Sequence, residues 1–295
     1  MSYSFLGRVN DSIVQTRVIQ SSSVTASATD VLRDAIAAID DTWLSPRNRH
    51  QLVMAAGNYT EIQIDHATLN CLDIIGAGIG QTVIESDGLR ADVDPVSGLA
   101  YSAMAEADKY GIWGGYQLNI SSLTWSVNDV KYCNHASNWA TTDLASVLTA
   151  CRFIHTGGYP IGSGLAKAGL TLSLVSCELV KSGANAALGG VGSHGIYWHN
   201  GNAVVGSVAL SLSNCSFENC GTVKLLELDS GQTDVVTVTN CATDDAGTDK
   251  GIYIGAYGPG LSYSIEITQN AGTMPMFGYD AVTRPNAEDH YTLIP

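Results

Sequence analysis

A thirteen-residue repeat with cysteine at its seventh place and glycine at its thirteenth constrains the fold of this chain more than any other feature. Four segments carry it without a gap: residues 145–157, 171–183, 209–221 and 235–247. In each segment apolar residues alternate with polar ones, and the alternation shifts phase once near the cysteine. Such a pattern is typical of two short strands joined by a tight bend. A unit that recurs along the chain predicts a repeat architecture.

Two further segments follow the same alternation without the cysteine, with Leu123 and Asn270 at the seventh place. Successive seventh places are then 28, 26, 38, 26 and 29 residues apart. Strand-like stretches that begin near Gly111, Gly195 and Gly251 lie between the units, which gives three short strands per unit. We therefore predict an all-β fold, a single-stranded right-handed parallel β-helix of about seven coils. The long step predicts an extra loop around residues 184–193.

The repeated cysteines are expected to form an internal ladder of small apolar side chains, buried and unbonded, in successive coils. Its members are Cys151, Cys177, Cys215 and Cys241. A zinc site would need clustered cysteine and histidine at ligand spacing, and only Cys215 and Cys220 are close in sequence, so no metal is expected. A β-sandwich or a leucine-rich solenoid would also give repeated strands. Sandwich strands do not normally repeat a thirteen-residue motif, and the leucine-rich signature is missing.

The charge balance argues against whole classes of partner. The chain has 14 Lys and Arg against 28 Asp and Glu, a formal net charge of −14. Attraction to nucleic acid or to an anionic membrane is therefore disfavoured. No run of 18 apolar residues occurs, and the first ten residues lack a secretory pattern. Seven cysteines, an odd number without CxxC pairs, favour synthesis in a reducing cytoplasm.

A helix is predicted ahead of the repeats, within residues 27–40. Thr29 or Asp30 can serve as its N-cap, and one face is apolar. The apolar face comprises Val31, Leu32, Ile36 and Ile39. An amphipathic helix that leads into a solenoid is expected to cap the open end of the core. Strands are predicted after it, over residues 51–56, 59–64, 69–75 and 82–84.

This first part of the chain resembles a known superfamily. The strings VLRDAIAAID (31–40), LVMAAGNYTEIQI (52–64) and LDIIGAGIGQTVIES (72–86) are similar to the opening of right-handed β-helix proteins of the pectin lyase-like superfamily, pectin methylesterases included. The resemblance implies the fold. It does not fix an activity, because this fold hosts lyases, hydrolases, esterases, epimerases and structural rods.

The glycine-rich string GAGIGQT, residues 76–82, also invites comparison with a phosphate-binding loop. Such a loop needs a following helix and, in the Walker form, a lysine before the Ser or Thr. Here Gln81 stands at the lysine place and a strand is predicted to follow. The glycines are therefore interpreted as turn residues, and no nucleotide or other cofactor is expected.

A shorter resemblance concerns the N-terminus. The string RVNDSIVQT (8–16) is loosely similar to the short N-terminal segment of phage tail and virion-surface proteins. It implies an attachment arm at residues 1–25, followed by the β-helix at 26–276. Residues 277–295, with two prolines and no coil pattern, are expected to form an extended tail. A virion protein would be made in the host cytoplasm.

No complete catalytic set can be assembled from the coil region. The candidate bases are Arg152, Lys167, Lys181, Lys224 and Lys250, and the candidate carboxylates are Glu218, Glu227, Asp229, Asp244, Asp245 and Asp249. A lyase needs a base beside a matching acidic set, and a glycoside hydrolase needs two carboxylates about 5 to 10 Å apart. Pectin methylesterases carry paired Asp with Arg and Gln in later coils, and no counterpart is found. Whether the chain is an enzyme stays open, with the non-enzymatic reading favoured.

The most suggestive stretch is SHGIYWHNGN, residues 193–202. If Ile196 and Trp198 face the core, Tyr197 and His199 point outwards from the same strand. Tyr253 and Trp113, in equivalent strands, would extend a surface row of aromatic side chains. Such a row could pack subunits together, contact carbohydrate or supply acid and base groups.

The favoured function is a phage virion surface protein, a tailspike-like or capsid-decorating rod that can bind host glycan. The alternative is a β-helix depolymerase or lyase acting on host surface polysaccharide. A short β-helix exposes a long side and two open ends, so self-association as a homotrimer is expected. Other virion proteins would be bound through the N-terminal arm. Neither nucleic acid nor membrane is an expected partner.

Overall fold

The computed structural model describes residues 4–9, 12–19, 28–29, 31–39, 44–45, 47–61, 64–65, 71–87, 93, 98–100, 103, 110–113, 118–128, 132–137, 144–155, 159–164, 170–182, 194–199, 207–226, 232–244, 252–254, 263–270, 278–279 and 291–294. Within these residues the chain forms 27 strands and one helix. The strands make up three sheets, of 11, 8 and 8 strands.

The three sheets are named A, B and C, and neighbouring strands in each list are hydrogen-bonded. Sheet A contains β1 (Ser4–Val9), β2 (Ser12–Ile19), β4 (Asn48–Met54), β7 (Leu72–Ile75), β10 (Asn119–Ser121), β13 (Leu144–Thr149), β16 (Leu170–Val175), β19 (Ser207–Ser213), β22 (Gln232–Thr239), β25 (Tyr263–Asn270) and β27 (Tyr291–Ile294). Sheet B contains β3 (Ala28–Thr29), β5 (Gly57–Glu61), β8 (Thr82–Asp87), β11 (Thr124–Asn128), β14 (Arg152–His155), β17 (Glu178–Lys181), β20 (Ser216–Glu218) and β23 (Ala242–Thr243). Sheet C contains β6 (Ile64–Asp65), β9 (Tyr110–Trp113), β12 (Tyr132–Ser137), β15 (Tyr159–Gly164), β18 (His194–His199), β21 (Gly221–Leu226), β24 (Ile252–Ile254) and β26 (Gly278–Tyr279).

The chain visits the sheets in a fixed order, A to B to C and back to A. Between β4 and β24, seven successive passes each contribute one described strand to every sheet. Pairing between passes is parallel, as in the ladder that joins β13 to β16. Parallel strands of one sheet joined by such crossovers follow the right-handed rule. The chain is a right-handed parallel β-helix.

A single residue in the left-handed conformation makes the bend between sheets A and B. It is found in five passes, where φ lies between 50° and 58°, at Ser122, Ala150, Ser176, Asn214 and Asn240. The next residue in each pass is buried. This one-residue bend is the physical origin of the phase shift in the sequence, because a strand pattern of period two restarts after it.

Two stacked columns of side chains run through the interior. On sheet A the column is aliphatic and consists of Leu52, Ile74, Ile120, Leu148, Leu174, Leu212 and Val238. On sheet B it is largely aromatic and consists of Tyr59, Ile84, Trp125, Phe153, Leu179 and Phe217. Each fully buried side chain of this size contributes about 1.5–3 kcal/mol relative to exposure.

A third column stands at the corner between sheets A and B. It begins with Thr82 and Leu123 and continues through Cys151, Cys177, Cys215 and Cys241, all of them buried. The four cysteines are free thiols, one in each of four successive passes. Adjacent members are about 4.8 Å apart along the axis, the spacing of hydrogen-bonded strands. Asn270 does not continue the column, because it pairs with Thr239, two residues before Cys241.

The helix α1 (Val31–Ala37) is shorter than the segment predicted from the sequence. Leu32, Ala35 and Ile36 are buried in the core, and Val31 and Ile39 pack against it in part. Two of the predicted apolar positions, Leu32 and Ile36, thus form the centre of the buried face. The short strand β3 ends at Thr29, one of the two predicted capping positions, and α1 begins two residues later at Val31.

Strands from both ends of the chain extend the sheets. The strands β1 and β2 form an antiparallel hairpin, and Ile13–Ile19 of β2 pairs in parallel with β4. At the other end β26 joins sheet C and β27 joins sheet A. This differs from the expectation of terminal segments that stand outside the coils. Five of the eight residues in SIVQTRVI are β-branched, which favours a strand, so the segment continues sheet A.

Candidate functional site

Sheet C brings three of the four predicted contact residues into one row. Strand register aligns Trp113, Tyr197 and Tyr253 with one residue from each intervening strand. The complete row is Asp65, Trp113, His135, Gly162, Tyr197, Lys224, Tyr253 and Gly278. His199 lies in the next row on the same strand, aligned with Gly164 and Leu226. The row crosses eight strands, so it runs along the axis of the β-helix.

The burial pattern places Tyr197 on the outer face of sheet C. Ile161 and Ile196 share a register and are fully buried, at 1% and 0% exposure. Tyr197 follows Ile196 and is partly exposed. Because side chains alternate along a strand, Tyr197 points away from the interior in which Ile196 is buried. The inward position predicted for Ile196 is confirmed; the side chains of Trp198, His199, Trp113 and Tyr253 lie outside the described part.

One strand in the middle of sheet C has glycine at the registers of both Tyr197 and His199. These places on β15 are Gly162 and Gly164. His135 and Ser137 of β12 lie at the same registers on one side, and Tyr197 and His199 of β18 on the other. The strands β12 and β18 are two spacings apart, about 9.6 Å. A glycine inside a strand commonly marks a close approach by a ligand or another backbone.

The connections that lead into this part of sheet C differ in length. Three residues join β11 to β12 and three join β14 to β15, whereas 22 residues join β8 to β9. The long step in the repeat falls between β17 and β18, which are separated by residues 182–193. The predicted loop, 184–193, lies outside the described residues. The short connections fall on the two passes that contribute His135 and Gly162.

Four of the predicted charged candidates that the structure describes, Arg152, Lys181, Glu218 and Asp244, lie on or beside sheet B and away from this row. Glu218 lies on sheet B, where Arg152 Nη2 approaches its Oε2 to 3.7 Å and Arg152 Nε approaches Glu178 Oε2 to 3.4 Å. Asp244 Oδ1 accepts a hydrogen bond of 2.7 Å from the backbone N–H of Asn219, one pass earlier. Both carboxylates therefore have structural partners. Lys181 lies on β17 of sheet B.

Lys224 is the one predicted base that the described strands place in the row. Other predicted candidates lie outside the described residues; they are Lys167, Lys250, Glu227, Asp229, Asp245 and Asp249. Among the residues that are described, no group of three or more His, Cys, Asp or Glu is arranged to hold a metal ion. No described helix is long and apolar enough to span a membrane.

The cysteine column is poorly suited to thiol chemistry. The hydrogen-bonded neighbour Cys151, together with burial, raises the pKa of Cys177 to about 12. Cys177 and burial likewise raise the pKa of Cys215 to about 11, and Cys215 raises that of Cys241. Since the thiolate is the reactive form, these thiols are kept in their unreactive state. They act as packing groups and weak donors, as in the contact of 3.3 Å from Cys177 Sγ to the carbonyl of Leu148.

The glycine-rich loop is a turn between β7 and β8, as the sequence predicts, and its amides have partners within the protein. The N–H of Gly76 donates to Ser121 O, that of Ala77 to Thr82 Oγ1, and that of Gly80 to Thr124 Oγ1. A Cβ on Gly76 would lie 2.3 Å from the carbonyl oxygen of Ser122. The glycine is thus required by close packing of two passes.

Five members of the row were not placed in it from the sequence: Asp65, His135, Gly162, Gly278 and Lys224, the last of which was predicted only as a candidate base. Lys224 lies 27 residues after Tyr197 and 29 residues before Tyr253. Both intervals are close to the repeat length, so adding one repeat length to Tyr197 would have located it. Gly162 lies 27 residues after His135. The interval from Gly162 to Tyr197 is 35 residues, because the long connection between β17 and β18 interrupts the count.

No protein-family model matches this chain, and no curated protein matches it. Among the solved structures that match this chain are the following three. A pectin methylesterase, PemA from Erwinia chrysanthemi, matches at 10% identity and a TM-score of 0.44, over 88% of this chain and 82% of that one. A pectin methylesterase in complex with a hexasaccharide matches at 10% and 0.44, over 84% and 75%. The tailspike protein gp49 of Acinetobacter baumannii bacteriophage Fri1, a capsular polysaccharide depolymerase, matches at 7% and 0.29, over 89% and 61%.

Proposed function

We propose that this chain is a structural rod of a phage virion surface and that it contacts host glycan through the outer face of sheet C. The observation that carries the glycan contact is the bare stretch of β15 at Gly162 and Gly164, flanked by His135 and Tyr197 in one row. An opening about 9.6 Å across between flanking strands can admit a saccharide ring. The ring of a tyrosine offers an apolar face with a polar tip, which suits a sugar.

The virion assignment rests on the N-terminal resemblance and on features that agree with it. The β-helix builds a rod in which each pass contacts its neighbours, a form that suits an extended surface protein. The net charge of −14 disfavours nucleic acid as a partner. We further propose that the rod assembles as a homotrimer and that the N-terminal segment attaches it to other virion proteins.

Binding to an array of purified bacterial capsular polysaccharides and O-chains tests the glycan contact. We expect the wild-type chain to retain at least one polysaccharide. Gly162→Leu, which fills the bare stretch, and Tyr197→Ala should each weaken that binding at least tenfold, about 1.4 kcal/mol. Ser126→Leu, on the outer face of sheet B, is the matched control and should bind as the wild type does. Retention of no polysaccharide, or equal binding by all variants, would refute the proposal.

A second candidate function is polysaccharide cleavage, favoured by the position of Tyr197 and His199. They lie two residues apart on β18, at the registers of the two glycines of the bare stretch. A tyrosine and a histidine at one bound sugar could act as acid and base. The non-enzymatic proposal predicts no release of reducing ends or unsaturated uronates from pectate or alginate, with or without Ca²⁺. Turnover that is abolished by Tyr197→Phe or His199→Ala would establish cleavage instead.

A further inference from the structure

The middle of sheet A has an outer surface without charge, called here the sheet A patch. It consists of the described outward residues of β10, β13, β16, β19 and β22, which alternate with the buried aliphatic column. They are Asn119, Ser121, Ala145, Val147, Thr149, Thr171, Ser173, Val175, Ala209, Ser211, Ser213, Thr237 and Thr239. Ala145 and Thr171 are exposed, and Val147, 36% exposed, is among the exposed large hydrophobic residues of the described chain.

The other described surfaces differ in charge. Sheet B carries Glu85, Arg152, Glu178 and Glu218 on its outer face. Towards the N-terminal end of sheet A the patch stops at Asp73, where Arg49 Nε donates a hydrogen bond of 2.9 Å to the carboxylate. The repulsion between two copies of a chain with a net charge of −14 is weakest where the contacting surface of one copy carries no charge.

The shape of the patch also suits a flat contact. Its strands are parallel and in register, and its side chains are short, so neighbouring positions stand at similar heights. The thirteen outward places, each covering about 4.8 Å by 6.6 Å of the sheet, give about 410 Å². With an equal area on the partner, the contact buries about 820 Å², below the lower limit of about 1,000 Å² for a specific interface. An association through this patch alone would therefore be weak and concentration-dependent.

We propose that the sheet A patch is buried against a second copy of this chain in the assembled rod. The proposal deepens the self-association in the proposed function and rests on it. In a closed ring of three, the patch of each copy packs against a different surface of the neighbouring copy. The hydroxyl groups of the serine and threonine rows can exchange hydrogen bonds across the contact.

Sedimentation velocity on the full chain tests the proposal with Val147→Glu and Ser173→Glu. The added carboxylates lie on an outward face, so thermal midpoints should stay near that of the wild type, which shows that the variants fold. Assembly should weaken at least tenfold, because a buried unpaired charge opposes association. Ala242→Glu, an exposed position on the outer face of sheet B, is the matched control and should assemble as the wild type does.

Thiol accessibility gives a second measurement. In the assembled state the new thiol of Ser173→Cys should react slowly with a maleimide, and after dilution it should react fast. Ala242→Cys should react fast in both states. Equal labelling of the two, or unchanged assembly of both glutamate variants, overturns the patch while leaving self-association standing. A wild-type chain that sediments as a monomer at micromolar concentration overturns self-association and the patch together.

Discussion

The side-chain amide of Asn240 donates a hydrogen bond of 2.7 Å to the side-chain oxygen of Asn214, one pass earlier in the β-helix. Both residues make the bend between sheets A and B in the left-handed conformation, with φ of 51° and 54°. Asparagine is one of the few side chains that tolerates this conformation. The pair therefore links two passes at the place where the backbone turns most sharply.

Replacement of Asn214 separates the effect of its hydrogen bond from the effect of its positive φ. Asn214→Ala loses the hydrogen bond and keeps a Cβ at a positive φ, so we expect unfolding to become easier by about 1–2 kcal/mol. Asn214→Gly loses the same bond but tolerates the bend, and should be more stable than the alanine variant by about 1 kcal/mol. Urea unfolding followed by fluorescence measures both. An alanine variant as stable as the glycine variant would contradict the role of the bend.

The cysteine column predicts a specific loss of stability at alkaline pH. The hydrogen-bonded thiol of Cys151 and burial raise the pKa of Cys177 from its ordinary value of 9.0 to about 12. Because the folded chain holds this proton more tightly than the unfolded chain, its contribution to stability is complete below pH 9.0 and is lost as the pH rises through about 12.

The difference in stability between the wild type and Cys177→Ala isolates this contribution. The variant has a constant cost from the cavity, so the wild type should lose its advantage as the pH rises from 9.0 towards 12. Thermal midpoints measured across that range give the result. A difference that does not change with pH would contradict a buried, protonated thiol. Independently, the six cysteines that the structure describes as buried should not react with a thiol reagent at pH 8 until the chain is unfolded.

Two glycines of one turn should respond differently to alanine. A Cβ on Gly76 would meet Ser122 O at 2.3 Å and Leu123 Cβ at 2.8 Å, so Gly76→Ala must separate two passes and should cost more than about 2 kcal/mol. Gly80 has φ of 72° and open space, so Gly80→Ala should cost about 1 kcal/mol from backbone strain alone. Differential scanning calorimetry compares them. A larger loss at Gly80 would show that close packing at Gly76 is not what requires glycine.

Truncation of residues 1–25 removes β1 and β2 and leaves β4 as an edge strand of sheet A. Seven residue pairs between β2 and β4 are lost, so the thermal midpoint should fall. The β-rich circular dichroism spectrum should survive, because the later passes keep their own pairing. If the segment is also the attachment to other virion proteins, the truncated chain should be absent from assembled particles. Complete loss of the fold would show that the first hairpin is required for the core.

The repeat alone was enough to predict most of the fold. The seventh place of the repeat is a cysteine in four segments, at Cys151, Cys177, Cys215 and Cys241. This predicted four successive passes, because residues that stack in one column recur once in every pass. The earlier members of this column, Thr82 and Leu123, are not cysteines. The insertion at 88–109 lengthens the interval between them, so the repeat did not identify Thr82. Asn270 was placed in the column from its alternation, although the pairing with Thr239 moves it by two residues.

The candidate site was harder to predict because it depends on which strands become neighbours. Tyr197 and Tyr253 are recognisable as outward aromatics of similar strings, and they fall in one row. Gly162 carries no pattern of its own, and its significance arises only when β15 is placed between His135 and Tyr197. A glycine in a strand indicates a bend, a bulge or a close approach, and a sequence does not distinguish them.

Hydrogen–deuterium exchange with and without a bound polysaccharide tests the central claim most directly. The probe is the capsular polysaccharide or O-chain that the array experiment shows to be retained. Peptides that cover β12, β15 and β18 should gain protection in its presence, with the largest gain at Tyr159–Gly164, while peptides from β16 and β17 should not change. Protection confined to sheet A or sheet B, or none in sheet C at saturating polysaccharide, would contradict the claim that the outer face of sheet C contacts glycan.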